Sequence, residues 1–526
     1  MSIEINKDFT QVLEALQRGE NIFLTGKAGT GKSTFLRYFL ETSKKSIVVL
    51  APTGVAALNV EGQTIHSFYG IFPVNTERDI PEILERRGHV LYDILSQTDL
   101  LVIDEISMVR ADLLDMMERI TREVFSKGKR KHERERASLP FAGIQLLFIG
   151  DLYQLPPVLK STEKEFFSTM YDSPYFFSAK CYPSLAMKIY ELEKIYRQSD
   201  KVFIDILNRI RNGTVTDEDI ALLNERFDPD FEPGEKQYIY LTTHNDIVDE
   251  INQRELQKLP SSEKTYQGKI QGEFSEKDMP TDYELVLKKG AQVMFLTNEP
   301  SGAWVNGTIG RVLHCGRDVV EVELDDGTEV EVQPYTWTSY RYETVGKNEV
   351  KKTAIGSFTQ FPLRLAWSIT IHKSQGKTFS HVILDMKKGA FASGQTYVAL
   401  SRVTSLDGLV LKHPIRKSHV KVDSHIIRFM TGARYQQAEE ARPLEEKRSL
   451  LQKAIDEKKL LEMVYLKPDD TKSRRVILPL FVGTMEYHGK TFEGLRAFCH
   501  LTGEERTFRL DRILEIYELS SQEKKI

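Results

Sequence analysis

NIFLTGKAGTGKSTFLRYFLE, running from Asn21 to Glu41, is the stretch from which the rest of the 526-residue chain can be read. An apolar run ends at a glycine. The pattern G-x-x-x-x-G-K-S then fills Gly26 to Ser33, and a helical sequence follows. In that context the glycines let successive backbone N–H groups curl around an anionic oxygen, and the helix N-terminus adds its positive end. The expected nucleotide cradle is Gly26, Ala28, Gly29, Thr30, Gly31, Lys32, Ser33 and Thr34, with Lys32 on the β and γ phosphates and Ser33 on Mg²⁺. The alternative is a structural glycine turn.

Moving outward, three more apolar runs end in polar residues: SIVVLAP from Ser46, LLVIDE from Leu100 and IQLLFIGD from Ile144. Unbroken runs of this kind suit a parallel sheet covered by helices on both faces. Ligands of such sheets bind beyond the strands' carboxyl ends, where Gly26, Thr53, Asp104, Glu105 and Asp151 fall. A second set, YIYLTTHN from Tyr238 and HVILD from His381, predicts a second α/β domain, with YVALSRV from Tyr397 opening a helix. VVEVELDDGTEVEVQ from Val319 alternates with period two around Asp326-Gly327 and reads as a hairpin. With WVNGTIGRVL before it, residues 297–355 are expected to form a small antiparallel barrel inserted in the second domain.

Composition sets limits. Lys plus Arg total 72 and Asp plus Glu 76, a net charge of −4, so an anionic partner must be met by local basic patches. Cys181, Cys315 and Cys499 lie far apart without a C-x-x-C pair, which argues for a reducing compartment and against a disulfide framework or a cysteine metal site. The start, MSIEINKDFTQVLEAL, is too charged for a signal peptide, and no apolar run approaches the ~20 residues that span a bilayer. The expectation is a cytoplasmic protein with no membrane partner.

A phosphate loop alone does not choose between a kinase, a switch and a motor. Asp104 is placed to hold Mg²⁺, and the adjacent Glu105 to accept a proton from an attacking water. The alternative for this pair is two carboxylates that cap the following helix. In GDLYQLPPV, from Gly150, the Gln154 amide is suited to bond both the γ-phosphate and that water.

GKAGTGKS, APTGVAALNVEGQTIHSF, VIDEISMV, GDLYQLPPV, IYRQ, IHKSQGKTF and VALSRV occur in that order between about Ile5 and Leu411. The set resembles the PIF/RecD-type helicases, group B of superfamily 1. The resemblance implies an α/β fold with two RecA-like P-loop domains, 1–190 and 191–430, that clamp ATP and move 5′ to 3′ along single-stranded DNA. It implies Lys32, Glu105, Gln154, Arg197 and Arg402 as the catalytic set, the two arginines acting as fingers from the opposite domain. Ser33 and Asp104 are implied for Mg²⁺, and Gly376 joins the nucleotide contacts. The implied DNA contacts are Thr53, Gly54, Thr64 and His66 in the first domain and Thr370, His372, Lys373 and Ser374 in the second. His66 and Phe68 are candidates to stack on or wedge against bases, with core packing as the alternative.

Three places depart from the pattern. The adenine-reading glutamine has no clear match, Gln11 being out of register. Residues 71–96, where a wedge should lie, form a short segment. The insertion from Ser126 holds six basic and two acidic residues between Lys127 and Arg136, either a phosphate-binding or a plain solvated loop. The inserted barrel resembles the Src-homology-three type; Asn306 and Gly307 match its entry, and Trp304 and Trp337 read as DNA contacts or as packing.

A charged helical linker is expected over 431–446. Beyond it, 447–520 resembles a WYL domain, a small β-rich module of bacterial regulators, with the naming triplet replaced by Glu493-Gly494-Leu495. Tyr465, Arg496, Arg506 and Arg509 are its nucleic-acid candidates; the alternative pairs the arginines with Glu504, Glu505 and Asp511. The whole reads as a bacterial, nucleoid-associated, monomeric ATP-dependent DNA helicase using Mg²⁺. Its expected partners are single-stranded and tailed or forked duplex DNA, with G-quadruplexes and RNA–DNA hybrids as further candidates. The rival readings are a regulatory ATPase that does not separate strands and a ligand sensor centred on the WYL-like tail.

Overall fold

Apolar β-branched runs become buried strands here because parallel pairing hides both of their faces. A computed structural model describes residues 6–519 except 73–75, 129–130, 161, 199, 235, 346–348, 387–388, 391, 468–471 and 488–489. Part of the proposed wedge segment and Lys129 and Arg130 of the basic insertion thus lie outside the described residues.

The first lobe is built on β1 (Ile22–Gly26), β2 (Ile47–Ala51), β3 (Gln63–Thr64), β4 (Leu100–Ile103), β5 (Gln145–Ile149) and β6 (Lys188–Leu192), in the order β3-β2-β4-β5-β1-β6. Every pairing is parallel, with Phe23 opposite both Phe148 and Ile189. Helices α1 (Lys7–Gln17) and α2 (Lys32–Thr42) supply Phe9, Val12, Leu16, Phe35 and Phe39 to one side of the sheet. The expected boundary at residue 190 falls inside β6, which belongs to this first sheet. Residues 76–96, on the described side of the wedge segment, form a capped turn and the helix α3 (Ile80–Leu95), whose Tyr92 ring meets Phe125 edge-on.

The second lobe has a parallel sheet ordered Ser368–Thr370, Ile239–Thr242, Val382–Leu384, Leu409–Leu411. Antiparallel strands interrupt it between its first two sequence elements. They begin at Lys264 and end at Leu365, so the insertion is wider than 297–355. Its five-stranded sheet takes its outer strand, Leu363–Leu365, and its neighbour, Gln292–Phe295, from beyond both ends of the expected range. The hairpin at Asp326-Gly327 is present, Val320 facing Val332, with Thr328 N–H donating to Asp326 Oδ1 at 3.0 Å. Trp304 tilts against Phe295 and Trp337 stacks on Phe358, so both indoles pack.

A long hairpin, Tyr335–Val345 with Glu349–Gln360, leaves this insertion and lies on the first lobe. Val49 N–H donates to Tyr342 Oη at 2.9 Å, Tyr342 N–H to Gln63 Oε1 at 3.3 Å, and Lys352 pairs with Glu61 at 2.7 Å.

The chain separates into two compact units, the second comprising 422–526 with 209–214. The charged stretch expected as a linker is two helices, Ser424–Ala441 and Leu444–Asp456, parted at Arg442-Pro443, where proline cannot continue the first. Leu451 and Ala454 of the second helix are buried with Leu461, Ile477, Leu495 and Phe508 of a five-stranded antiparallel sheet. That sheet runs Glu504–Arg509, Lys490–Cys499, Lys472–Tyr487, Leu461–Leu466, Ile513–Glu518. Charge density on one helix face masked an apolar face that serves this core. Among the described residues no helix is long and apolar enough to cross a membrane.

Candidate nucleotide and DNA site

The loop after β1 takes left-handed backbone at Gly29 (φ +77°) and Gly31 (φ +91°), and a methyl group at residue 29 would overlap Arg197 Cβ. Only glycine meets both demands there. Lys32 Nζ donates to Gly26 O at 2.7 Å and Lys27 O at 3.1 Å, closing the loop on itself. Ala28 N–H donates to Tyr397 Oη at 3.1 Å, a contact from the second lobe.

Asp104 and Glu105 follow β4 on the floor of the same cleft. Burial pushes the Asp104 carboxyl up to about 6, opposed by its backbone hydrogen bond and by Lys32. Burial, then Asp104, pushes Glu105 up to about 7, while Lys32 and Arg402 pull it down. Glu105 is a non-glycine residue in left-handed conformation (φ +50°), a strain of the kind held at functional sites. Its Oε2 accepts from Gln375 Nε2 at 3.2 Å. The Ser33 hydroxyl opening α2 and the Asp104 carboxylate form an all-oxygen donor pair, which suits Mg²⁺.

Gln154 is buried and donates to Asp151 Oδ2 at 3.2 Å. The second lobe closes directly over it: a side chain at Gly394, ahead of the helix Gln395–Leu400, would overlap the Gln154 carbonyl.

The two arginines behave differently. Arg197 was expected on the second domain, yet it is held to the first: Tyr196 N–H donates to Gly29 O at 2.9 Å. Its guanidinium reaches across to Gly376 O at 3.0 Å and Ser401 O at 3.3 Å. The chain must cross the cleft here, so a finger can hang from either side. Arg402 is 0% exposed. Its Nε donates to Val398 O at 2.8 Å, Nη1 to Lys377 O at 3.1 Å and Ser374 O at 3.3 Å, and Nη2 to Ser401 Oγ at 2.8 Å. Burial and Arg197 bring its pKa down to about 9, with Glu105 and Asp151 opposing.

The proposed DNA residues fall into two groups. Thr53 and Thr64 cap short helices, accepting from Ala56 N–H at 3.3 Å and Ser67 N–H at 3.2 Å. Gly54 lies against the Asp278 carboxylate of the insertion, and Gln63, Thr64, Phe274 and Tyr340 line the same groove. His66 is half-buried, its pKa lowered by burial and then by Arg110. His372 and Lys373 reach the surface. Three expectations need correction. Phe68 is 0% exposed, edge-on to Tyr69 and Tyr342, so it is core and offers no ring to a base. Thr370 and Ser374 are buried as well, Oγ1 accepting from Lys373 N–H at 3.3 Å and Oγ donating to Ile371 O at 2.7 Å. Their hydroxyls shape the turn that presents His372 and Lys373.

Gln11 is exposed on α1, whereas Asn6, which caps that helix, donates from Nδ2 to Tyr196 Oη at 3.2 Å. Sequence reasoning missed Asn6, Tyr397 and Gln375; the last two lay inside quoted motifs, but their partners are hundreds of residues away.

In the second unit, Arg506 pairs with Glu504 at 2.6 Å and Arg509 with Asp511 at 2.6 Å, and Tyr465 Oη accepts from Arg509 N–H at 3.3 Å. The Tyr465 ring turns inward, edge-on to Phe508. The arginine-lined groove beside Tyr465 is therefore replaced by ion pairs. Arg496 stays exposed, and its cross-strand neighbours are Thr507 and Phe481, the latter 46% exposed.

Residues 1–221 match the model of the PIF1-like helicase family and residues 446–517 that of the WYL domain. The chain is 32% identical over 416 residues to ATP-dependent DNA helicase Pif1 of Bdellovibrio bacteriovorus, covering 78% of this chain and 88% of that one. It is 35% identical over 415 residues to human ATP-dependent DNA helicase PIF1, of which it spans 60%, with 77% of this chain aligned. Among solved structures, Bacteroides Pif1 in complex with ADP-AlF4 aligns at TM-score 0.74 and 37% identity, over 83% of this chain and 98% of that one. Bacteroides Pif1 bound to single-stranded DNA aligns at 0.56 and 38% identity, over 82% and 97%.

Proposed function

The chain belongs to the PIF1-like helicase family, ATP-dependent DNA helicases, and carries a WYL domain; from that premise we propose a 5′ to 3′ motor in which the cleft between two lobes hydrolyses ATP. The observation that carries this reading is the convergence of Lys32, Asp104, Glu105, Gln154, Arg197 and Arg402 on one cleft. Lys32 holds the β and γ phosphates, and Glu105 takes the proton of the attacking water. Gln154 holds the γ-phosphate end, and the arginines balance its developing charge. Ser33 and Asp104 would hold Mg²⁺, which when bound would supply positive charge to neutralise the phosphates.

The lobes differ in where they grip DNA: Thr53, Gly54, Thr64 and His66 on the first, His372 and Lys373 on the second. Backbone and hydroxyl contacts hold phosphates without reading sequence, as a motor requires. Tailed and forked duplexes are the proposed substrates. The WYL-like unit adds single-strand affinity through Arg496 beside the exposed Phe481 ring. Family membership favours strand separation over the regulatory-ATPase alternative.

The test is ATP hydrolysis with and without single-stranded DNA in the wild type, Lys32→Ala and Asp104→Asn. The reading requires DNA-stimulated turnover that both variants lose while retaining DNA binding. Undiminished turnover in Lys32→Ala would refute it.

A further inference from the structure

We propose that Gln375 is a positioning residue for hydrolysis, its side-chain amide orienting the Glu105 carboxylate from the opposite lobe. The proposal rests on the reading of Glu105 as the base.

Glu105 stands at the end of a first-lobe strand; Gln375 lies in the second-lobe segment Ile371–Phe379. They are 270 residues apart, and Gln375 Nε2 donates to Glu105 Oε2 at 3.2 Å. Both ends of the contact are braced. The Glu105 backbone is fixed in the left-handed region, and the Gln375 N–H donates to His372 O at 3.2 Å. The neighbouring Gly376 carbonyl accepts from Arg197 Nη2 at 3.0 Å, which anchors the same segment to the first lobe.

Around Glu105 the electrostatic forces are nearly radial: Asp104 and Asp151 repel the carboxylate, Lys32 and Arg402 attract it. Point charges of this kind favour a region and leave the plane of the carboxylate free to turn. The amide supplies what they lack, a directional donor. With Oε2 engaged, Oε1 is left to take a proton. In the step itself the water's O–H bond breaks and its proton passes to Glu105 Oε1. The water oxygen bonds the γ phosphorus as the bond to the β–γ bridging oxygen breaks, its electron pair leaving with ADP.

Because donor and acceptor sit on different lobes, this alignment exists only while the lobes are together. The bonds Ala28 N–H to Tyr397 Oη and Arg197 to Ser401 O span the same cleft. Gln375 thereby makes hydrolysis conditional on closure.

The experiment uses the full chain at saturating oligo-dT. Gln375→Met matches the side chain's length and removes the donor; Gln375→Ala removes both. Both variants should lose DNA-stimulated kcat by about tenfold or more, the scale of a misoriented reacting group. KM for ATP, affinity for a fluorescent ADP analogue, affinity for DNA and Tm should stay near wild type. In a Glu105→Gln background, read by single-turnover hydrolysis, Gln375→Met should change the rate less than about twofold, since residues acting through one another are not additive. A wild-type kcat in Gln375→Met, or an equal loss in the Glu105→Gln background, overturns the proposal. Glu105→Gln hydrolysing ATP at the wild-type rate overturns the base assignment and the proposal with it.

Discussion

Arg402 offers a test in which catalysis and folding separate. An arginine finger read from sequence alone should be expendable for stability, because its work lies with the phosphate. This one is 0% exposed and donates to Val398 O, Lys377 O, Ser374 O and Ser401 Oγ, binding the helix Gln395–Leu400 to the segment before Phe379. Arg402→Ala strands three carbonyls and one hydroxyl in the interior and leaves a void. An unsatisfied buried group costs about 1–3 kcal/mol, although some of these regain other partners on relaxation. Removing one side of a buried charged network costs about 3–5 kcal/mol in comparable cases, which we take as the expected loss. At about 2–4 °C per kcal/mol for a domain of 150–250 residues, Tm should fall by about 6–20 °C. Arg402→Lys keeps the charge but cannot serve four acceptors in a fan, so it should recover less than half of the loss. Arg197→Ala, by contrast, removes a half-buried side chain with two carbonyl contacts and should shift Tm by less than about 4 °C while lowering kcat. Differential scanning fluorimetry beside steady-state ATPase reads both quantities. Arg402→Ala with wild-type Tm and only a lost kcat would refute the reasoning.

The other predictions concern separate parts of the chain. Glu105→Gln should lower DNA-stimulated kcat by about 10²–10⁴ with ADP-analogue affinity retained, measured by phosphate release and fluorescence titration. Tyr342→Phe removes the acceptor of the Val49 N–H and should speed hydrogen exchange at that amide about 5- to 150-fold, the equivalent of about 1–3 kcal/mol. Leu451→Ala should destabilise the second unit by about 2–5 kcal/mol, seen as faster proteolysis confined to residues after 422; a true linker helix would tolerate it. Truncation after Lys421 should weaken single-strand binding by fluorescence anisotropy. A truncation after Arg442 instead keeps the helix Ser424–Ala441 but removes Val464, Leu466 and Leu514, which bury Ala438 and Tyr435, and should yield an aggregation-prone product.

The legible parts of the fold were those whose physics is local. The phosphate loop needs glycine at fixed positions, and each long apolar run had one way to be buried, so β1, β2, β4 and β5 could be read directly. Ser368–Thr370 and Leu409–Leu411 are three-residue strands with no periodicity to detect. The insertion's limits were misjudged because Gln292–Phe295 and Leu363–Leu365 have only four and three residues, and they pair with each other from the two ends of the inserted sequence. In the site, residue type indicated chemistry but not exposure. Phe68, Thr370 and Ser374 sit in motifs that the resemblance assigns to DNA contact, yet their side chains are turned inward. Arg506 and Arg509 carry carboxylates two residues away on the same edge, a pairing that spacing permitted and only geometry could decide.

The central claim is that ATP turnover in this cleft drives directional strand separation. Two duplexes of equal length, one with a 5′ and one with a 3′ single-stranded tail, should be offered to the wild type and to Lys32→Ala with ATP and Mg²⁺. The account predicts that only the 5′-tailed duplex opens and that the variant opens neither. Unwinding of the 3′-tailed duplex, or DNA-stimulated hydrolysis with neither duplex opened, would contradict it.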